Sequence, residues 1–419
     1  MEETNPLSSL KSWFSAQGGS FDPSVDLSEG PYGISVFVRI GTEGGQLEDT
    51  TIVTCPFSLI ITKDASLRAL GTLLGHGTES QSSLETWSER QLICCYICFH
   101  WFFSESRSTM IVLRHLPYIR CLPAAEKLST PLHFSERELE LLKGTNLFGA
   151  TLDRGHDWRT EWEQCRSLVQ TVNQAWGESL TWERYLTAST HLSSRAFPSS
   201  ILSAEPSLVS TPSTYPVLLP GVDLLNHKRG QRVSWEVSCS EAKQGGTLSG
   251  TVSVISNEEL KEGQEVFNNY GAKANDELIL GYGFSLPDNP DDKITLQIGG
   301  AGKAQKWEIG RNARNVEGLW SEIRGMVSSE ESEYEFEDDL EAASILSEMC
   351  QAKLDGMKTV ADVTEDDDGI RPGVKVMLEH YIEGQRAILE SMLKFADGKQ
   401  KAAIEEAREQ GIDLVFDDE

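Results

Sequence analysis

The stretch Glu265-Val-Phe-Asn-Asn-Tyr270-Gly271-Ala-Lys273-Ala-Asn275-Asp-Glu277-Leu-Ile-Leu-Gly-Tyr282-Gly283-Phe284 decides the reading of this chain. It opens as an apolar, strand-like run and breaks at a Tyr-Gly turn. It then continues as an amphipathic helical turn and meets a second Tyr-Gly. Upstream stands a second unusual run, Leu218-Leu-Pro220-Gly-Val-Asp223-Leu-Leu-Asn226-His227, in which an Asn-His pair closes a buried apolar segment. Such a pair has two readings by itself: it satisfies backbone groups around a turn, or it belongs to a binding site.

Working outward, 419 residues suffice for two or three domains, and a 39% apolar content supports ordinary buried cores. The net charge of -28 excludes a direct, salt-driven nucleic-acid binder, because phosphates repel such a surface. It suits basic protein partners, or serves solubility alone. The opening Met1-Glu-Glu-Thr has acidic residues where a secretory signal carries basic ones, and the most apolar run, Leu92 to Phe103, is too short to span a bilayer. A soluble intracellular protein, cytoplasmic or nuclear and without membrane attachment, is expected.

The eight cysteines fit that compartment, being scattered without the spacing of a disulfide framework. Cys94, Cys95 and Cys98 sit in Leu-Ile-Cys-Cys-Tyr-Ile-Cys-Phe, which reads as a buried helix, so they are expected as packed thiols and not as metal ligands.

Taken together, the Asn226-His227 and Tyr270-Gly271 segments resemble the paired signature of SET-domain protein methyltransferases, and within them the Rubisco large-subunit methyltransferase branch. The resemblance covers residues 25 to 287, and these two segments carry nearly all of its specificity. It implies an α+β fold: a SET-domain β-fold of small sheets with a knot-like active site, interrupted by a helical insertion at about 84–185. An α-helical C-terminal domain follows over 288–419. It also implies S-adenosyl-L-methionine as cofactor, with the two segments forming the wall between cofactor and substrate lysine. Many histone-directed members carry a zinc-binding cysteine cluster after the Tyr-Gly-Phe segment; here Cys350 alone follows it, so no metal is expected.

Short β-prone runs fill Val25 to Thr62, namely Ile34 to Ile40, Thr51 to Thr54 and Ser58 to Thr62. In the family a G-x-G turn beside the first strand cradles the cofactor through its backbone. Gly33-Ile34-Ser35 stands in that place, with Ser35 where the second glycine would be; a plain hairpin turn is the alternative. Helices are expected from Leu7 to Ala16 and, after Ser82 with Glu85 at capping-box spacing, from Leu84; Ser135 with Glu138 repeats the device. The Pro117-Tyr118 to Leu122-Pro123 segment reads as a connector of packing residues.

Ser194-Arg195-Ala196-Phe197 resembles the family tetrad whose arginine helps hold the carboxylate end of the cofactor, a task suited to a planar guanidinium fork. The resemblance further implies that Asn226 and His227 bind the adenosine half, with Asp223 supporting their turn. It likewise implies Tyr270 as the catalytic residue, at the inner end of a substrate channel lined by Tyr282 and Phe284. A lysine amine is almost fully protonated in water, so a narrow apolar channel has to favour its neutral form and align it.

Beyond Pro287 the character changes. Residues 329–419 hold 26 acidic against 9 basic residues, and Val374 to Phe395 carries a helical apolar stripe. This region resembles the substrate-binding domain of the same branch, while a solvated helix face and a disordered loop near Thr364 to Gly369 explain its charge equally well. The expected function is that of an S-adenosylmethionine-dependent protein-lysine N-methyltransferase acting on a basic, non-histone protein such as a ribosomal protein or translation factor. Protein-histidine methylation and a non-catalytic SET-fold binding protein are the alternatives.

Overall fold

Contacts group the residues into two units, Met1–Leu128 with Arg154–Gly271, and Ser129–Asp153 with Ala272–Glu419. The structure is a computed structural model that describes residues 5–30, 33–41, 49–75, 83–103, 107–203, 205–240, 249–298, 305–328, 334–359, 361 and 369–414.

The first unit opens on helix α1 (Pro6–Ala16), started by the Asn5 side chain, which accepts from the Leu7 N–H, and by proline in the first turn. Its Leu10 and Phe14 are fully buried, each such side chain contributing about 1.5–3 kcal/mol of hydrophobic stabilisation. The strands β1 (Ser20–Phe21), β2 (Val25–Gly30), β3 (Gly33–Val38) and β4 (Thr50–Pro56) follow, then β5 (Ala196–Pro198), β6 (Pro216–Leu218), β7 (Val233–Ser240) and β8 (Ser249–Ser256). They form small antiparallel sheets: β1-β4-β8-β7, the β2-β3 hairpin and the β5-β6 pair. In the register of the largest, Val53 faces Val254 and Cys55 faces Val252, all buried on one side as the two-residue strand period requires.

Ser58 to Thr62 does not form the expected strand. Phe57–Leu59 is a single 3-10 turn and only Ile61 bridges, to Leu218. Leu59, Ile60 and Ile61 are all buried, so the run lacks alternation. Thr62 then caps helix α2 (Lys63–Leu74), accepting from the Ala65 N–H at 3.2 Å.

Helix α3 spans Glu89–Phe102, starting later than the sequence suggests. Its capping box is Ser88 with Gln91, each side chain meeting the other's backbone N–H at 2.8 and 3.2 Å, while Ser82 lies outside the described residues. Every residue from Gln91 to His100 is buried, so α3 runs through the core, packed on α4 (Trp182–Arg195) and on Cys165 and Val169 of the helix Asn146–Val172. Cys94, Cys95 and Cys98 are free, buried thiols, and burial pushes the Cys94 thiol up to about 12.

The second unit contains α5 (Asn275–Tyr282), the hairpin β9 (Lys293–Ile298) and β10 (Gln305–Gly310), and helices α6 (Val316–Val327), α7 (Glu335–Gly356) and α8 (Pro372–Glu409). The apolar stripe read over Val374 to Phe395 lies within α8, which continues because Ala396, Ala403 and Ala407 are buried further along. Ile294, Leu296 and Ile309 of the hairpin, Leu319 and Trp320 of α6, Leu346 and Cys350 of α7 and Ile388, Leu389 and Met392 of α8 share one core. Gly384 permits close approach, since a Cβ there would sit 2.3 Å from Asp292 Oδ2, the carboxylate that accepts from Arg311 Nη2 at 3.2 Å. The second expected capping box is present, with Ser135 Oγ accepting from the Glu138 N–H. Residues 364–368, where the sequence suggests a disordered loop, lie outside the described residues, as do 329–333 of the acidic stretch.

Candidate active site

The first part of the segment quoted first, Glu265 to Gly271, is held in the first unit by two successive pairings. Its start lies along β3: the Val38 N–H donates to the Gln264 carbonyl at 2.9 Å and the Val266 N–H to that of Val36 at 2.8 Å. Its continuation pairs with the Asn-His segment in a parallel bridge between His227 and Asn268. There the Asn268 N–H donates to the Asn226 carbonyl at 2.7 Å and the Lys228 N–H to the Asn268 carbonyl at 2.9 Å.

Side chains then lock the crossing. The Asn226 amide Nδ2 donates to Ser35 Oγ at 2.8 Å and to Glu265 Oε1 at 2.7 Å. His227 Nδ1 accepts from the Tyr270 backbone N–H at 3.0 Å, so this nitrogen carries no proton. The two rings stack at 5.0 Å, 24° apart. The Tyr270 hydroxyl donates to the Leu225 carbonyl at 2.9 Å. That bond uses the hydroxyl hydrogen, so toward any N–H group the phenol oxygen can act only as an acceptor.

Gly30 and Gly33 face each other at the end of the β2-β3 hairpin, whose tip, Pro31-Tyr32, lies outside the described residues. The hairpin reading and the G-x-G reading are therefore compatible. Gly33 has φ +104°, and a Cβ there would meet Pro123 Cγ at 3.0 Å with Arg195 Nη2 at 4.0 Å. Ile34 is half-buried on β3. Ser35 is fully buried, and its hydroxyl, standing where the family pattern has glycine, is the acceptor that braces Asn226.

Arg195 ends α4 with its side chain mostly covered. Its Nη1 donates to the Asp223 carbonyl at 2.9 Å and lies 3.5 Å from the Asp223 carboxylate. Asp223 is buried, and burial pushes its carboxyl above the usual range against the opposing pull of Arg195 and Tyr118. The Tyr118 hydroxyl donates to Asp223 Oδ2 at 2.6 Å.

Tyr282 and Phe284 fall in the second unit. Their rings meet edge to face at 6.1 Å, and burial, with Glu277 nearby, pushes the Tyr282 hydroxyl up. Asn275 pins the turn beyond them, its side chain donating to the Leu286 carbonyl at 2.9 Å and accepting from the Leu286 N–H at 2.8 Å. Thus the first unit gathers Gly33, Ser35, Arg195, Asn226, His227 and Tyr270, while the two aromatic residues are placed by a separate set of contacts. Glu265, Tyr118 and Pro123 escaped the sequence reading as members of the site. Glu265, an acid opening an apolar run, was the one signal available for them.

Among solved structures, the SET domain of LSMT bound to lysine and AdoHcy superimposes with a TM-score of 0.74, covering 97% of this chain and 94% of that one at 17% identity. The chain has the SET-domain fold. No family model matches the chain. In sequence, it is 32% identical over 250 residues to the ribosomal lysine N-methyltransferase set10 of Schizosaccharomyces pombe, covering 60% of this chain and 40% of that protein. It is 29% identical over 220 residues to ribosomal lysine N-methyltransferase 1 of Saccharomyces cerevisiae, covering 43% and 34%. The SET-fold chain thus spans well under half the length of these curated relatives. Among the described residues of this SET fold, no helix is long and apolar enough to cross a membrane.

Proposed function

We propose that the chain is an S-adenosylmethionine-dependent protein-lysine N-methyltransferase acting on a non-histone protein, with ribosomal proteins as the first substrates to try. The observation that carries this reading is the double anchoring of Tyr270, its N–H on His227 Nδ1 and its hydroxyl on the Leu225 carbonyl, on a SET fold. The names of the two yeast relatives support the acceptor class.

The residues present fit the cofactor. The positive φ of Gly33 and the narrow gap to Pro123 describe a backbone surface with no room for a side chain. The Arg195 guanidinium beside it suits the carboxylate of an amino-acid end. Gly33, Ile34, Ser35, Arg195, Asn226 and His227 would hold the cofactor, which when bound supplies an activated methyl group on sulfur.

The chain's own part is to present a neutral amine in line. The Tyr270 oxygen accepts an amine N–H and fixes the direction of its lone pair, which is worth much of the rate when reacting atoms must align. Tyr282 and Phe284 keep the role the resemblance implies, aromatic faces for the substrate side chain, which also tolerate a methylated cation. The acidic composition of residues 329–419 suits docking of a basic protein, and a cytoplasmic or nuclear place of action goes with that substrate class.

Incubating the protein with labelled S-adenosylmethionine and a cell extract, followed by mass spectrometry of the labelled products, tests the reading. Methyl-lysine in a protein is expected. Methyl-histidine would transfer the reading to histidine acceptors, and failure to bind either S-adenosylmethionine or its demethylated product would overturn it.

A further inference from the structure

We infer that Tyr118 is a positioning residue for the cofactor's amino-acid end, acting through Asp223 on Arg195; the inference rests on the proposed cofactor site. The sequence reading treats the Pro117 to Pro123 connector as packing. In the structure this connector touches the site twice: Pro123 closes on the Gly33 backbone, and the Tyr118 hydroxyl donates to Asp223 Oδ2 at 2.6 Å.

The geometry makes the relay specific. Asp223 is a buried carboxylate whose Oδ1 has no hydrogen-bond partner among the described residues, while its Oδ2 accepts from the Tyr118 hydroxyl at 2.6 Å and lies 3.5 Å from Arg195 Nη1. Tyr118 is the nearer and is fully buried. A buried carboxylate that loses a donor takes up a proton or turns away, and burial already pushes the Asp223 carboxyl in that direction. A neutral carboxyl holds a guanidinium less firmly. Arginine has many rotamers, and its fork binds a carboxylate well only when held in one of them. The phenol therefore keeps Asp223 charged, and Asp223 keeps Arg195 in place beside Gly33.

The prediction separates the two ends of the cofactor. Calorimetric titration of wild-type protein and Tyr118→Phe with S-adenosylhomocysteine, which has the amino-acid end, should show affinity lower by about tenfold in the variant, the weight of one charge-assisted hydrogen bond. Titration with 5′-methylthioadenosine, which lacks that end, should show little change. The double variant Tyr118→Phe/Asp223→Asn leaves no carboxylate short of a donor and mimics its neutral form. It serves if the single variant does not fold, and it should show the same selective loss. Equal weakening toward both compounds, or none, in the folded variant would overturn the inference while leaving the cofactor site intact. A wild-type protein that binds neither compound would overturn the cofactor reading itself.

Discussion

The Tyr270 backbone N–H donates to His227 Nδ1 at 3.0 Å, and the two rings lie stacked at 5.0 Å. The imidazole thereby fixes where the tyrosine's main chain sits, and the Leu225 carbonyl fixes where its hydroxyl points. Tyr270 is thus held at both ends by the Leu225 to His227 segment.

Tyr270→Phe should therefore retain cofactor binding and lose rate. Methyl transfer to substrate is expected to fall on the order of a hundredfold in kcat, with KM for the cofactor little changed. Steady-state kinetics check this, and a variant turning over at the wild-type rate would remove Tyr270 from the catalytic centre. The unsatisfied Leu225 carbonyl adds a stability cost of about 1 kcal/mol, visible in urea unfolding.

Replacing His227 with phenylalanine keeps a stacking ring and removes the acceptor at Nδ1. The Tyr270 N–H then loses its partner, and kcat should fall although the phenol is intact, by roughly tenfold or more. A rate equal to wild type would mean that stacking alone holds Tyr270.

Arg195→Ala should weaken S-adenosylhomocysteine binding and also lower stability, because Asp223 is left buried with Tyr118 as its remaining described donor. A loss of about 1–3 kcal/mol is expected, read from urea midpoints without ligand. The ligand-induced rise in Tm should shrink in parallel with affinity. An unchanged rise would place Arg195 outside the site.

Acid should loosen the first unit before its carboxylates titrate. His115 Nδ1 meets the Tyr96 hydroxyl at 2.6 Å and its Nε2 the Leu59 carbonyl at 3.1 Å, while His100 Nδ1 meets the Tyr96 carbonyl at 2.7 Å. Burial pushes His100 down to about 4 and His115 well below the ordinary imidazole range. Unfolded histidines take up protons below about pH 6.5, while these two stay neutral when folded, so stability falls with falling pH. The slope approaches about 1.4 kcal/mol per pH unit for each histidine. Urea unfolding at pH 7 and pH 5 measures it; equal stability at both would refute the buried neutral pair.

If the acidic composition of residues 329–419 serves docking, catalytic efficiency on a basic protein substrate should drop as salt is raised from 50 to about 300 mM, with cofactor affinity nearly constant. Salt-independent efficiency would assign that charge to solubility.

The fold was legible where local chemistry and tertiary demand agree. Ser135 with Glu138 caps a helix as their spacing suggests, and most of the β-prone run Ile34 to Ile40 lies on β3. Reading failed where tertiary burial overrode pattern, as at Leu59-Ile60-Ile61, an apolar run that ends a 3-10 turn and makes one bridge before the capped helix α2 begins. The Asn226 and Tyr270 segments were legible as a pair because their residue types are unusual together. Tyr118 was not, since a tyrosine in a proline-bounded connector has no period or spacing that points to Asp223. Its partner lies 105 positions away, and only the folded chain brings them together.

The crossing at Asn226 joins Ser35, 191 positions upstream, to Glu265, 39 positions downstream. Such distant closures lose much chain entropy before any contact compensates for it, which makes them slow. During synthesis, helices α1 to α4 and the β2-β3 hairpin emerge before Tyr270 does. On the proposed reading, the cofactor site is incomplete until the Tyr270 segment has paired with Asn226 and His227, so the methyl donor would stabilise that late closure of the first unit. Refolding from urea should accordingly restore tryptophan fluorescence earlier than it restores S-adenosylhomocysteine binding.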